Sequence, residues 1–484
     1  MNNPIRRLSL LVAALFCTLF IATSWIQFVQ AGELRDRPGN RRTLLASYSQ
    51  ERGAILVGGE AVARSEATDD ELKYQRSYPQ GKLYSHITGY FSFLYGAGGG
   101  LESAENGLLT GQSDQLFYRR LGDLLTGTQP KGVSLELTID PLAQKAAEDA
   151  LGNQRGSVVA LDPKTGAILA LVSHPQYDPN SLSSHDADTA QTAWSQLNAA
   201  SGKPLVNRAI GGDLYPPGSV FKIVTAAAAL SSGQYTENSQ LPGPKTLDLP
   251  QTTAGLVNDW GGQCGNGTVT LLEALQDSCN TAFGYLGMQL GGQAIRDEAA
   301  KFGFGQQLKV PMSVTPSSVP DQMNPPQEAQ AAIGQYDVRV TPLQVAMLSA
   351  AVANQGTVMQ PYLVKQTRGS DLEVIDQTAP QELGQAMSPE NAAALTRMME
   401  AVVDDGTGTR ARISGVQVAG KSGTAQHGEG LAPHAWFTSF APADDPKVAV
   451  AVVVEDGGNA GMSAGGGSVA APIARNVMKA VIDQ

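Results

Sequence analysis

From Leu8 to Gly32 the chain runs 25 residues without a charge, behind the basic pair Arg6 and Arg7. A helix of about 20 apolar residues crosses a hydrocarbon core of roughly 30 Å, so this segment is long enough to span a bilayer. The preceding arginines favour a cytoplasmic N-terminus, which leaves everything after Gly32 outside. The competing reading is a cleaved signal peptide, and Val29-Gln30-Ala31 offers the small residues of a cleavage site. Signal cores run only about 7–15 residues, and this stretch is longer. A retained anchor over residues 1–31 is therefore the expectation. The next most apolar run, Val448 to Val454, is short and Val-rich, and reads as a buried strand.

Export bears on the cysteines. Cys17 lies inside the apolar segment, so only Cys264 and Cys279 remain to pair. Outside the membrane they can oxidise, provided their Cα atoms come within about 7 Å; the sequence leaves that open. The five histidines (His86, His174, His185, His427 and His434) are scattered, without an HExxH motif or a cysteine pair at ligand spacing, which argues against a metal. A net charge of −11 disfavours a nucleic-acid partner.

The segment after the anchor opens with an arginine-rich connector (Arg35, Arg37, Arg41, Arg42) and stays rich in Gly and Tyr to about Gly132. Its run Tyr95-Gly96-Ala97-Gly98-Gly99-Gly100 reads as a loop excluded from regular structure. No catalytic constellation is visible there, and residues 32–135 are expected to form a small α+β support domain. The texture then changes. Ser134 to Asp140 alternates as a strand, and Pro141 opens a helix through Leu151. Gly156–Leu161 and Ala167–Val172 flank the turn Asp162-Pro163-Lys164-Thr165-Gly166 as a hairpin. Helix dominates from Gly218 to Gln355. Strands return at Gln417–Ala419, Ala435–Phe440 and Val448–Val454, and a helix closes the chain from about Ala470. The expected α+β architecture over residues 136–484 is a central antiparallel sheet built from both ends, with a helical subdomain between.

The strongest local signal is Tyr215-Pro216-Pro217-Gly218-Ser219-Val220-Phe221-Lys222, leading into the apolar run Ile223 to Leu230. The turn puts Ser219 at a helix N-terminus, where unpaired N–H groups favour developing negative charge. Lys222 follows one turn later on the same face. In so apolar a helix its pKa falls on burial, which suits it to take a proton from the serine. A capping serine with a snorkelling lysine is the plainer account of Ser-x-x-Lys alone. Two later elements shift the balance. Ser278-Cys279-Asn280 sits where one amphipathic helix gives way to another, and Lys421-Ser422-Gly423-Thr424 follows the strand Val416–Ala419. The earlier Lys164-Thr165-Gly166 precedes Ser219 and is explained by turn chemistry.

With Ser219/Lys222, Ser278/Asn280 and Lys421/Ser422/Gly423 in this order, the chain resembles the penicillin-binding protein and serine β-lactamase superfamily. Arg52-Gly53-Ala54-Ile55, Gly100-Leu101-Glu102, Leu137-Thr138-Ile139-Asp140, His174 to Asn180 and Thr341-Pro342-Leu343-Gln344 extend the likeness to class B transpeptidases, nearest the penicillin-binding protein A group of actinobacteria. Ser422 stands where threonine is usual, and Gly334-Gln335-Tyr336-Asp337 replaces a Gly-Gln-Gly stretch.

The resemblance implies that Ser219 attacks the carbonyl between the terminal D-alanines of a peptidoglycan stem peptide, with Lys222 as base. Ser278 and Asn280 would relay protons and hold the donor backbone. Lys421 would bring positive charge to the substrate carboxylate, which Ser422 and Thr424 would hydrogen-bond beside Gly423. Backbone N–H groups of Ser219 and Thr424 would form the oxyanion hole. β-Lactams would block the same serine, no cofactor is implied, and a membrane glycan polymerase is the expected partner. A β-lactamase or D,D-carboxypeptidase of the same fold is the nearest rival, and a non-catalytic β-lactam sensor or division scaffold the more distant one. About 100 residues between anchor and transpeptidase domain leave no room for a glycosyltransferase module.

Overall fold

The computed structural model describes residues 3–30, 34, 48–113, 116, 131–369 and 373–484. Arg35, Arg37, Arg41 and Arg42 and the junction at residues 31 and 32 lie outside the described residues. Asn3–Val29 is one continuous apolar helix, long enough to cross a membrane and without a buried residue.

Five antiparallel strands form the central sheet in the order Ala419–Ala425, His434–Ala441, Val448–Val454, Gly156–Leu161, Ile168–His174. The expected assembly from both ends of the domain is observed. Val448–Val454 is apolar at every position because both faces are covered. Ala449, Ala451 and Val453 enter one core with the helices Lys222–Ser231 and Pro342–Ala353. Val448, Val450, Val452 and Val454 enter a second core with Pro141–Leu151 and Ala471–Ile482. The strand Ala419–Ala425 lies at the sheet edge and pairs along its whole length with His434–Ala441.

That pairing corrects one expectation. Lys421 to Thr424 lie inside the edge strand, not after it, because Lys421 to Thr424 are matched one for one with Thr438 to Ala435. The strand expected over Ser134–Asp140 ends at Leu137, and Asp140 instead caps the next helix by accepting a hydrogen bond from Ala143 N–H at 2.7 Å. The middle region is helical as expected but also carries two small antiparallel ladders, Gln240–Pro242 with Thr268–Thr270 and Thr246–Asp248 with Gly255–Val257. The glycine-rich run is not all loop. Gly96–Gly98 pairs with Tyr90–Ser92, and Gly100 opens the helix Gly100–Ala104. Gly98 has no Cβ, which leaves that space to the Tyr90 ring.

A second sheet has six strands in the order Val374–Gln377, Val364–Arg368, Ser134–Leu137, Ile55–Val57, Glu60–Ala67, Tyr74–Ser77. Two of them come from residues more than 200 positions downstream of the rest, so this sheet is shared between the support region and the C-terminal half. Beside it, Glu102 is fully buried between two arginines. Arg52 Nε approaches Glu102 Oε2 at 2.5 Å and Arg76 Nε approaches Oε1 at 2.6 Å. Tyr78 donates its hydroxyl to Glu102 Oε1 at 3.2 Å, and the Arg52 guanidinium lies 4.3 Å over the Phe91 ring. This contact explains why Arg52-Gly53-Ala54-Ile55 and Gly100-Leu101-Glu102 stand out in the sequence.

Removing the shared carboxylate leaves two buried guanidiniums facing each other. Glu102→Ala is expected to lower unfolding stability by about 3–5 kcal/mol, measured by denaturant titration of the detergent-solubilised chain; a change within experimental error of zero would contradict it.

Candidate active site

Pro216 and Pro217 carry no backbone N–H, and Gly218 adopts φ +54°, a conformation that glycine enters without strain. Other elements fix this turn. Gly218 N–H donates to Gly334 O at 2.9 Å, Trp436 Nε1–H donates to Pro216 O at 3.1 Å, and Tyr215 and Val340 exchange backbone bonds at 3.1 and 2.9 Å. A Cβ on Gly218 would stand 2.6 Å from Thr424 O, so the turn meets the edge strand backbone to backbone. Gly218–Phe221 forms a single 3₁₀ turn that runs into the helix Lys222–Ser231. Ser219 is 6% exposed at the head of that run.

Lys222 is wholly buried one turn on. Its Nζ donates to Ser278 O at 2.7 Å, Ser278 Oγ at 3.2 Å and Asn280 Oδ1 at 2.7 Å. Lys421, also wholly buried, donates to the same Ser278 Oγ at 2.9 Å and to Ser422 O at 2.8 Å. Ser278 holds φ +62° at the break between the helices Leu271–Gln276 and Asn280–Lys301, which turns its hydroxyl between the two amines. Burial pushes the Lys222 amine well below its usual range, and the neighbouring Lys421 pushes it further. Burial brings Lys421 down to about 7. Neutral amine and ammonium are thus both within reach at physiological pH. No hydrogen bond among the described residues joins Ser219 Oγ to Lys222; serine and lysine share the first turn, where such contacts commonly close only when substrate is bound.

These three stretches meet as the sequence order suggested. Over residues 156–479 the chain matches the penicillin binding protein transpeptidase domain, and over residues 52–135 the penicillin binding protein A dimerisation domain. The chain belongs to the penicillin-binding transpeptidase family. It is similar to the peptidoglycan D,D-transpeptidase PbpA of Mycolicibacterium smegmatis, with 44% identity covering 100% of this chain and 99% of the relative. The same identity and coverage hold for the PbpA of Mycobacterium tuberculosis. The solved ceftriaxone acyl-enzyme complex of penicillin-binding protein A from M. tuberculosis superposes with a TM-score of 0.87 at 44% identity, covering 90% of this chain and 100% of that one.

Several details of this penicillin-binding transpeptidase were not legible in its sequence. Ser422 Oγ, expected at the substrate carboxylate, lies 2.6 Å from Thr407 Oγ1 and forms a hydroxyl pair with it. Thr407 comes from the turn after the helix Pro389–Asp404, and no sequence signal marked it. Gly423 lies against the Pro-Pro-Gly turn, where a Cβ would stand 3.1 Å from Pro217 O, and Thr424 is partly exposed beside it. The pairing that the sequence left open is made: Cys264 and Cys279 are disulfide-bonded with Cα atoms 6.2 Å apart, which ties the loop after Val257 to the Ser278 break. In the Gly334-Gln335-Tyr336-Asp337 loop, Gly334 and Tyr336 have φ of +74° and +59°, and Tyr336 is exposed. Two of the scattered histidines do meet: His427 and His434 stack at 3.8 Å beside Asp456. Nearly parallel rings cannot aim in-plane lone pairs at one point, so this stacking does not shape a shared metal site.

The backbone contact at Gly218 makes a mutational prediction. Gly218→Ala forces the turn away from Thr424 and strains its φ, so labelling by a fluorescent penicillin is expected to slow on the order of 100-fold. Retention of the wild-type labelling rate would contradict this.

Proposed function

We propose that this chain is a peptidoglycan D,D-transpeptidase working through an acyl-enzyme on Ser219. The observation that carries the reading is the Ser278 hydroxyl held between two buried amines, 3.2 Å from Lys222 and 2.9 Å from Lys421, beside a serine at the head of a buried helix. The names of the relatives and the acyl-enzyme form of the M. tuberculosis protein support the same chemistry.

In the first half-reaction Ser219 Oγ attacks the carbonyl carbon between the terminal D-alanines, and its proton passes to neutral Lys222. The C–N bond then breaks, and D-alanine leaves as an amine protonated through the Lys222–Ser278 pair. The stem peptide is now an ester of Ser219. In the second half-reaction an amine from a neighbouring stem attacks the ester and restores the serine proton. Lys421 as ammonium attracts the carboxylate of the leaving D-alanine, with Ser422 and Thr424 as hydroxyl donors. Asn280 holds the donor backbone, and N–H groups of Ser219 and Thr424 stabilise the oxyanion. A β-lactam forms the same ester, but its amine stays tethered and does not vacate the site.

Asn3–Val29 serves as a single-pass anchor, with residues 136–484 as the catalytic domain and residues 32–135 as a support and dimerisation domain, all outside the membrane. Cross-linking needs glycan strands to act on, and the corresponding partner is a membrane glycan polymerase.

Intact-mass analysis after penicillin treatment tests the reading. One long-lived adduct on the peptide bearing Ser219 is expected, and none in Ser219→Ala; rapid loss of the adduct would indicate a hydrolase instead. The rate of acylation by an anionic penicillin should also follow a bell against pH. It falls in acid as Lys222 takes a proton, and falls above about 7 as Lys421 loses its own. A rate that climbs steadily through pH 9 would exclude Lys421 as the cation.

A further inference from the structure

Two amines buried against one hydroxyl raise a question of charge: among the described residues no carboxylate touches either of them. The acidic side chain that acts on both is Asp259. It is exposed and lies in the turn after Val257, ahead of the disulfide at Cys264. Its reach inward runs through Asn280. The Asn280 amide donates from Nδ2 to Asp259 Oδ1 at 2.9 Å and to Val257 O at 3.3 Å, while its Oδ1 accepts from Lys222 at 2.7 Å. Reversing that amide would set oxygen against two acceptors and put an NH₂ against the lysine amine. The carboxylate, together with Val257 O, therefore favours the orientation in which the Asn280 oxygen faces Lys222.

We propose that Asp259 is a positioning residue for acyl transfer: it locks the Asn280 amide with its oxygen toward Lys222, and it is the counter-charge of the Lys222–Lys421 pair. The inference rests on the acyl-enzyme reading above and deepens it.

The loop does not need Asp259 to hold its place, because its neighbours pin it. Asn258 Oδ1 accepts Thr281 N–H at 3.0 Å, Asn258 Nδ2 donates to Gly262 O at 2.9 Å, and Gly261 N–H donates to Asn258 O at 2.8 Å. The disulfide closes the same segment. Among the described residues the charged groups acting on Lys222 are Lys421 and Asp259, and the one acting on Lys421 is Asp259. Glu273, near Ser278 in sequence, acts instead on Asp277. The effect of the carboxylate has one sign: negative charge favours both ammonium forms, so removing it makes both lysines release protons at lower pH.

The test is the pH profile of the acylation rate, measured with a β-lactam on the full-length chain in detergent for wild type and three variants. Asp259→Asn keeps an acceptor for the Asn280 amide but loses the charge. Both limbs of its bell should move toward acid together, by roughly half a unit for one charge seen through partly screened surroundings, with a modest loss of maximal rate. Asp259→Ala loses the acceptor as well, so its maximum should fall on the order of tenfold on top of the same shift. Asp259→Glu should restore the position of the bell. A merely structural role would lower the rate and leave the bell in place, so a loss of rate without a shift overturns the proposal. Unchanged profiles in both the Asn and Ala variants overturn it too. Absence of any Ser219 adduct in wild type would sink the acyl-enzyme reading itself, by a separate observable.

Discussion

The hydroxyl of Ser278 is shared by two wholly buried lysines, and most of the catalytic half is arranged to keep them there. Two ammonium groups at that separation, out of water, repel strongly. Burial lowers both, and their proximity lowers Lys222 further. The Lys222 amine thereby gives up its proton more readily than Lys421 does.

That pair demands a rigid frame, because each amine has only a few acceptors and loses them on a small displacement. The frame comes from three directions. The five-stranded sheet fixes Lys421 through residue-by-residue pairing with His434–Ala441. The Pro-Pro-Gly turn is fixed by Trp436 and Gly334. The Ser278 break is fixed by the disulfide and by Asn258. Gly218 and Gly423 are the points where turn and edge strand meet, and a side chain at Gly218 would separate them.

The N-terminal region is bound to this frame more intimately than a linear division suggests. Its sheet is completed by Val364–Arg368 and Val374–Gln377, and Glu136 accepts from Gln366 and Arg368 at 2.7 and 2.8 Å. The buried Arg52–Glu102–Arg76 cluster then fixes the other side of the sheet. Residues 134–137 therefore belong to a sheet that both halves of the chain build.

Local chemistry made much of this protein readable from its residues. The charge-free run from Leu8, the Pro-Pro-Gly turn into an apolar helix, the hairpin around Asp162-Pro163 and the all-apolar strand Val448–Val454 each depend on neighbours in sequence, so each was visible there. The order of Ser219, Ser278 and Lys421 was visible as well. Their convergence was not, because it depends on contacts between residues 56 and 143 positions apart. Thr407 and Asp259 went unseen for the same reason: a threonine after a helix and an aspartate in a turn look ordinary until folding puts them against Ser422 and Asn280. The extent of the Lys421 strand is not legible locally, because glycine and lysine are poor strand formers on their own and pairing with His434–Ala441 overrides that preference. Sequence thus supplied the side chains and their order, while tertiary packing decided their distances, their burial and so the direction in which their pKa values move.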